Sequence, residues 1–429
     1  MLKHLIASVA AVGITALVCG AELRAEDRAA ATQPATKPVV PKPLSKNVEK
    51  GLQWLIARQL PGGGWAQGDE SAQMGQGMNA LKATPNVADT CMATMALIRS
   101  GSTPAKGEFA PNILKALDYV CSEVERSDDK SLWVTTTKGT RVQSKLGQYI
   151  DTFAAALLLA EVRNDMPDEV WRKRAVAALD KVMDKIEKNQ KPDGTFASDG
   201  WAPALAQGMA SQAINKAADM GAKVDEKVRQ RAEQHAVSNF DAKSGKVGAG
   251  GSAGVELYAA SSNLKALDAS NVANTGRLSE MQKELEQLKV QADSAPATTA
   301  PAIRQKIAQT EQRLQQMSEV RGTVQAAQAA IINRLDDKQF ISGFGSNGGE
   351  EFLSYLNIGE SLVAKGGDAW DKWDKSMTEN LNRIQSEDGS WTGHHCITGR
   401  TFCTSSALLV LMVDRSNSVT NVSDKIRKQ

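Results

Sequence analysis

The sequence predicts an all-α protein: a single α/α toroid of about six helical hairpins, with an antiparallel coiled-coil hairpin inserted near its end. Three observations lead there. Helix-length segments recur in pairs, and several pairs turn at a Gly-containing stretch closed by an aromatic residue, Trp65, Phe196 or Trp391. The second member of each pair is apolar and rich in small residues, as at 151–160, whereas the first is charged and amphipathic, as at 171–189. A helix apolar all round wants burial and an amphipathic one tolerates water, so second helices inside a ring of first helices satisfy both. Third, residues 277–335 leave the pattern. Leu278, Met281, Leu285 and Leu288 follow 3-4-3 spacing, an Ala/Pro/Thr bend covers 295–301, and helical spacing resumes from Ile303 to Val324. That reads as an antiparallel coiled-coil hairpin.

The ends of the chain read differently. Lys3 and His4 precede an almost wholly apolar run, 5–18, and then small residues, which predicts a signal peptide over 1–25 cleaved after Ala21 or Ala25. The run is short for a membrane span, so the mature chain is expected to carry none. Val18 is a poor neighbour for a lipidated Cys19. The protein is therefore expected to be exported, periplasmic or secreted. Residues 26–44 are a Pro/Ala-rich linker. The toroid follows in two parts, 45–276 and 336–415, around the coiled-coil insertion 277–335, and 416–429 is a polar tail. Lys and Arg number 51 against 49 Asp and Glu, a formal net charge of +2. With no basic stripe, nucleic acid is excluded as a partner class.

The pairs can be followed in order. The first spans 48–99, with Leu52, Leu55, Ile56 and Leu60 on one helical face, a stop at Pro61 and three glycines, and Trp65 beyond. The second spans 113–162, with Trp133 in its connection, and the third 171–220, with Phe196 where Trp65 stood. A weaker fourth begins near Val228, turns at Ser244-Gly245, reaches Val247 in the aromatic position, and resumes over 254–267. The fifth, 344–364, is partial, and the sixth, 370–413, restores the pattern through Gln385, Gly389 and Trp391.

The order Lys50-Gly51-Leu52-Gln53-Trp54-Leu55, then Gln59, Gly64 and Trp65, resembles the QW motif of the terpenoid cyclase and protein prenyltransferase (squalene cyclase-like) repeat family. The resemblance covers about 46–415 apart from the insertion and implies the toroid. It also implies that the Gln caps helix ends and the Trp stacks at the turn. Prenyltransferases of this family hold zinc with Asp, Cys and His near the inner helices, which points to Asp89, Cys91, His395 and Cys403 as candidate metal ligands. The first and last pairs become neighbours if the ring closes. Here Cys403 stands where that family's inner-helix His is expected, and basic residues for a diphosphate are sparse. The Asp-x-Asp-Asp acid of the terpene cyclases is absent.

Plainer readings stand beside these. Asp89 and Asp151, each followed by Thr, suit helix N-termini. After export, Cys91, Cys121, Cys396 and Cys403 remain, and Cys396–Cys403 reads as a structural disulfide. His394-His395 reads as polar loop. Gly248 to Gly254 follows no predicted strand, which argues against a phosphate loop. The expected function is an exported toroid of this repeat family, a non-catalytic binding or scaffold protein for an apolar small molecule or a protein partner, with the insertion as contact arm. The alternative is a prenyltransferase-like or terpene cyclase/mutase-like enzyme with a metal-assisted site, zinc being the candidate ion.

Overall fold

In the computed structural model, residues 39–71, 81–248, 250–345 and 347–416 are described. The expected signal peptide, most of the linker and nearly all of the polar tail lie outside them.

Helix α1 (Lys46–Arg58) starts at Ser45, whose hydroxyl accepts the Val48 N–H, and buries Leu52, Trp54 and Leu55. Strand β1 (Trp65–Ala66) pairs antiparallel with β2 (Pro85–Asn86). Then come α2 (Val87–Arg99), α3 (Ala110–Arg126), the short α4 (Arg141–Leu146) and α5 (Ile150–Val162). Helices α6 (Glu169–Asn189), α7 (Pro203–Asp219) and α8 (Glu226–Ser238) follow, and a two-stranded turn, β3 (Phe240–Asp241) with β4 (Lys246–Val247). The chain continues through α9 (Glu256–Ser294), α10 (Ala300–Ile332), α11 (Lys338–Ile341), α12 (Gly349–Lys365), α13 (Asp368–Ile384) and α14 (Arg400–Leu411). Among the described residues the protein is all-α apart from these two short strand pairs, and no described helix is long and apolar enough to cross a membrane.

Burial divides the helices as composition requires. In α5 every residue from Ile150 to Ala160 is buried, whereas α6 buries only a stripe that includes Ala175, Leu179, Val182 and Ile186. The buried helices pack in a definite order: α2 on α5, α5 on α7, α7 on α9, α9 on α12, α12 on α14, and α14 on α2. The amphipathic helices lie outside them, α3 against α2, α6 against α5, α8 against α7 and α9, and α13 against α12 and α14.

One local device recurs where an amphipathic helix ends. Gln59 Nε2 donates to Gly63 O, four residues on, at 2.8 Å and to Asn112 O at the start of α3 at 2.9 Å. Gln190 joins Gly194 O to Val228 O in the same way, at 3.3 and 3.1 Å. Gln385 joins Gly389 O to Asn47 O, both at 2.8 Å, so the end of α13 is bound to the start of α1. The turns must be tight as well. Gly63 and Gly389 have φ of +87° and +92°, and a Cβ on them would meet the carbonyls of Lys115 and Lys50 at 2.1 and 2.7 Å. Only glycine satisfies both conditions.

The aromatic residue then locks the turn to its own helix pair. Trp65 Nε1 donates to Leu55 O and Trp391 Nε1 to Leu381 O, each at 2.8 Å. Their backbone N–H groups reach Thr90 Oγ1 and Thr404 Oγ1 on the following buried helices, at 2.9 and 3.0 Å.

Helix α9 differs from the sequence expectation. The inserted hairpin does not begin as a separate helix at 277, because α9 runs unbroken for 39 residues from Glu256 to Ser294. No proline interrupts it, and Gly276 has open space around its Cβ position, so a helix-weakening residue is merely tolerated. On the return helix, Val320, Val324, Ala327 and Ile331 join the main core, so that part of α10 belongs to the body. The junction is a buried polar cluster. Arg313 forms a fork with Glu233 and donates to Asn274 Oδ1 at 2.8 Å, while Arg229 and Arg277 both reach Glu226 Oε2, at 2.7 and 2.6 Å.

Trp391→Ala removes a fully buried ring and is expected to cost about 3–5 kcal/mol of unfolding free energy. Gln385→Ala, which frees two carbonyls, is expected to cost about 1–3 kcal/mol. Urea melts of both variants measure this. A Gln385→Ala protein within about 0.5 kcal/mol of wild type would mean that the amide does not hold the turn.

Candidate functional site

The residues singled out in the sequence fall at the N-terminal ends of the buried helices, where unpaired N–H groups face carboxyl side chains. Asn86 caps α2 by accepting the Asp89 N–H at 2.9 Å, and its amide donates to Asp89 Oδ2 at 2.7 Å. Asp151, in the first turn of α5, accepts the Ala88 N–H at 2.9 Å and Gln143 Nε2 at 2.7 Å, and so caps its neighbour α2. Gln143 sits in α4, which opens on a capping box with Thr140. From the same short helix Arg141 grips Glu70, with Nε 3.0 Å from Oε1 and Nη2 2.6 Å from Oε2. The segment carrying Glu70 also crosses to α14, where Thr401 Oγ1 donates to Ala66 O at 2.6 Å.

A second acidic group lies at the start of α12. Glu351 accepts the Gly348 and Phe344 N–H groups at 2.8 and 3.0 Å, takes the Tyr258 hydroxyl hydrogen bond, and faces His395 Nε2 at 3.6 Å. Glu350 accepts the Ile397 N–H at 3.1 Å through one oxygen, and its other oxygen has no partner. Aromatic rings cover this end. Phe344 stands edge-on to Trp201 at 5.3 Å and to His395 at 5.1 Å, and Lys145 Nζ lies 5.4 Å from the Trp201 ring centroid.

Burial governs the charges here. It pushes the Asp89 carboxyl up to about 7 against the opposing bond from Asn86, and Asp151 up to about 6 against Gln143. Glu350 rises to about 8, through burial first and then the neighbouring Glu351. Burial raises Glu351 as well. Burial also raises the Cys91 and Cys403 thiols far above the ordinary range, so neither is a ready thiolate.

The four metal candidates do not converge. Among the described residues no three His, Cys, Asp or Glu side chains are placed to hold an ion. Asp89 is turned to Asn86, and Cys91, two positions on, projects from a different side of α2. His395 faces Glu351, and Cys403 Sγ is directed at Ile397 O, 3.4 Å away. Cys396 and Cys403 are separate buried thiols, as are Cys91 and Cys121. Glu70, Arg141, Gln143, Glu350 and Glu351 were not singled out from sequence. The only available signal was the pair of glutamates after Gly348-Gly349, directly before an apolar run.

Further along these helices, toward their C-terminal ends, α2, α5, α7, α12 and α14 border a cavity of about 50 Å³ lined by residues such as Met92, Leu157, Met209, Leu353 and Leu409. Its polar lining includes Glu360, which pairs with Arg99 at 2.9 Å and with Lys265. Burial alone would raise that carboxyl, but the two cations outweigh it and hold it at about 2. A larger cavity of about 400 Å³ lies to one side, bordered by α5, α7, α8 and α9. No family model matches this chain, and no curated protein matches it.

The raised acids fix the sign of a pH effect. Glu350 ionises near 4.5 in the unfolded chain and about 8 in the fold. Its contribution is therefore fully present below pH 4.5 and lost as pH rises through about 8. Glu350→Gln keeps the acceptor for Ile397 and cannot ionise. Its stability relative to wild type is expected to improve by on the order of 4 kcal/mol between about pH 5 and pH 8.5. Urea midpoints at the two pH values check this, and an unchanged difference would mean that Glu350 ionises normally.

Proposed function

We propose that this chain is an exported, non-catalytic α/α toroid of the terpenoid cyclase and prenyltransferase repeat type. In this reading it works as a scaffold that presents its helical hairpin to a protein partner. The cyclic packing order of α2, α5, α7, α9, α12 and α14 supports the ring, as does the bond from Gln385 to Asn47. The Gln-Gly-Trp turns support the family reading, because each residue type does the work its place in the motif requires.

One observation carries the choice of scaffold over catalyst. Asp89, Asp151, Glu350 and Glu351 each accept hydrogen bonds that hold helix starts or loops, and the cavity further along the same helices measures about 50 Å³. Pockets for small organic ligands usually run to ~300–1,000 Å³. A cavity of that size is small for an isoprenoid, which favours a protein partner over an apolar ligand bound there.

The arm itself supports that role. Beyond the Arg313–Glu233 fork, burial along 278–312 is confined to the seam residues Leu285 and Leu288. The remaining surface is mostly polar and of mixed charge, with Val290 exposed among it. At 1.5 Å per residue, the free part of α9 extends roughly 25 Å. The buried arginines at its root fix its direction.

Replacing 279–311 with a short Gly/Ser link spares the arginine cluster and the α10 residues in the core. In vivo crosslinking followed by mass spectrometry is expected to recover a defined partner with the full chain and at least about tenfold less with the trimmed one, a loss of about 1.4 kcal/mol or more in binding. The melting curve of the body should be unchanged. Undiminished partner recovery would overturn the scaffold reading. So would turnover of a prenyl diphosphate or polyisoprene that Asp89→Asn abolishes, which is the outcome expected of a prenyltransferase-like or cyclase/mutase-like enzyme.

A further inference from the structure

We propose that the 400 Å³ cleft between the third and fourth helix pairs is a binding site for an uncharged, hydroxyl-rich small molecule of the carbohydrate class, with Asn263 at its floor. This site is separate from the arm and does not depend on the scaffold reading.

The cleft exists because the repeat is incomplete there. The strongest turns fill the corresponding space with Trp65 and Trp391, both fully buried. The third pair offers the smaller Phe196, and the fourth has Val247 in the aromatic position, followed by Gly248, Gly250 and Gly251 along the border. Side chains that would occupy the volume are therefore missing from both turns.

What remains has the character of a receptor. Tyr149, Phe153 and Phe196 form an aromatic wall, with Phe153 and Phe196 tilted against each other at 4.9 Å. The floor carries Asn263, 5% exposed, together with buried Ser211 and Ser262. Asn263 Nδ2 has no hydrogen-bond partner. A buried amide donor without an acceptor is rare in native proteins and marks a place for a ligand or water oxygen. At the rim stand His235, whose pKa burial holds below the ordinary value against the opposing Asp193, and Asn239.

The lining chooses among ligand classes. It contains no carboxylate, so an amine finds no counter-ion. The floor is uncharged, and the one formal cation, Lys191, is exposed at the edge, so a buried anion is not matched either. An alkyl chain would leave the Asn263 amide unpaired, at the desolvation cost that entails. A sugar ring offers a C–H face for the aromatic wall and hydroxyls that both donate and accept, which suits Asn263, Ser211 and Ser262 together. The volume suits one or two rings.

The test is calorimetric titration of the mature protein with a panel of neutral mono- and disaccharides: glucose, galactose, N-acetylglucosamine, maltose and cellobiose. Control ligands are glucose 6-phosphate, octanoate and choline. At least one neutral sugar is expected to bind with a dissociation constant below about 1 mM, weakened at least about tenfold by Asn263→Leu. Phe196→Ala serves as a second variant from the opposite wall, should Asn263→Leu melt early, and is expected to weaken the same sugar. The proposal is overturned if no panel sugar binds, if only the phosphate, octanoate or choline binds, or if sugar binding survives both substitutions in folded protein.

Discussion

Three glutamine amides bear much of the organisation of this molecule. Each closes the turn at the end of its own helix and then reaches a carbonyl at the start of the next amphipathic helix, as Gln59 does with Gly63 and Asn112. A side chain that satisfies two carbonyls from two elements fixes their separation and angle at once. The turn glycines press against the neighbouring backbone, so the spacing has little slack. Once the outer helices are set this way, the helices between them have protein on every side. That is why α5 can be apolar all round, and why small residues suit it.

The fold was legible where local chemistry and burial agree. Gln, Gly and Trp at fixed spacing announced the turns around Trp65 and Trp391, and the apolar run at 151–160 announced a fully buried helix. The continuity of α9 was hidden because its two halves do different things. Leu257, Tyr258, Leu264 and Leu267 face the core, while Leu285 and Leu288 face α10, and nothing at the junction stops a helix. The polar root of the arm was equally hidden, since Glu233, Asn274 and Arg313 are distant in sequence and ordinary in composition.

The candidate site was half legible for a related reason. Aspartate before threonine at a helix start was readable as a cap, and Asp151 does cap, but it caps α2 rather than its own helix. Asp89 and Cys91 were put forward together by the family resemblance, although positions two apart on a helix look in different directions. Glu350 and Glu351 went unnoticed because adjacent glutamates usually lie in water. Here they are buried by the loop through Ile397 and by Phe344, and the helix start accounts for much of their bonding. The missing ring at Val247 was readable, but the cleft beside it was not, because its lining from Tyr149 to Asn263 is scattered along the chain.

Residues close to the two limits of the described body meet. Lys42 donates its N–H to Asp414 at 2.7 Å and pairs with Asp374, while the Arg415 guanidinium returns to Lys42 O. During synthesis the first helix therefore waits for almost the whole chain before its last neighbour exists, and such distant closure slows folding. The same adjacency means that a chain trimmed to residues 42–415 can be joined there by a short peptide and new ends opened at the bend near residue 297. A chain cut and rejoined that way would keep every turn while making the arm two free tips.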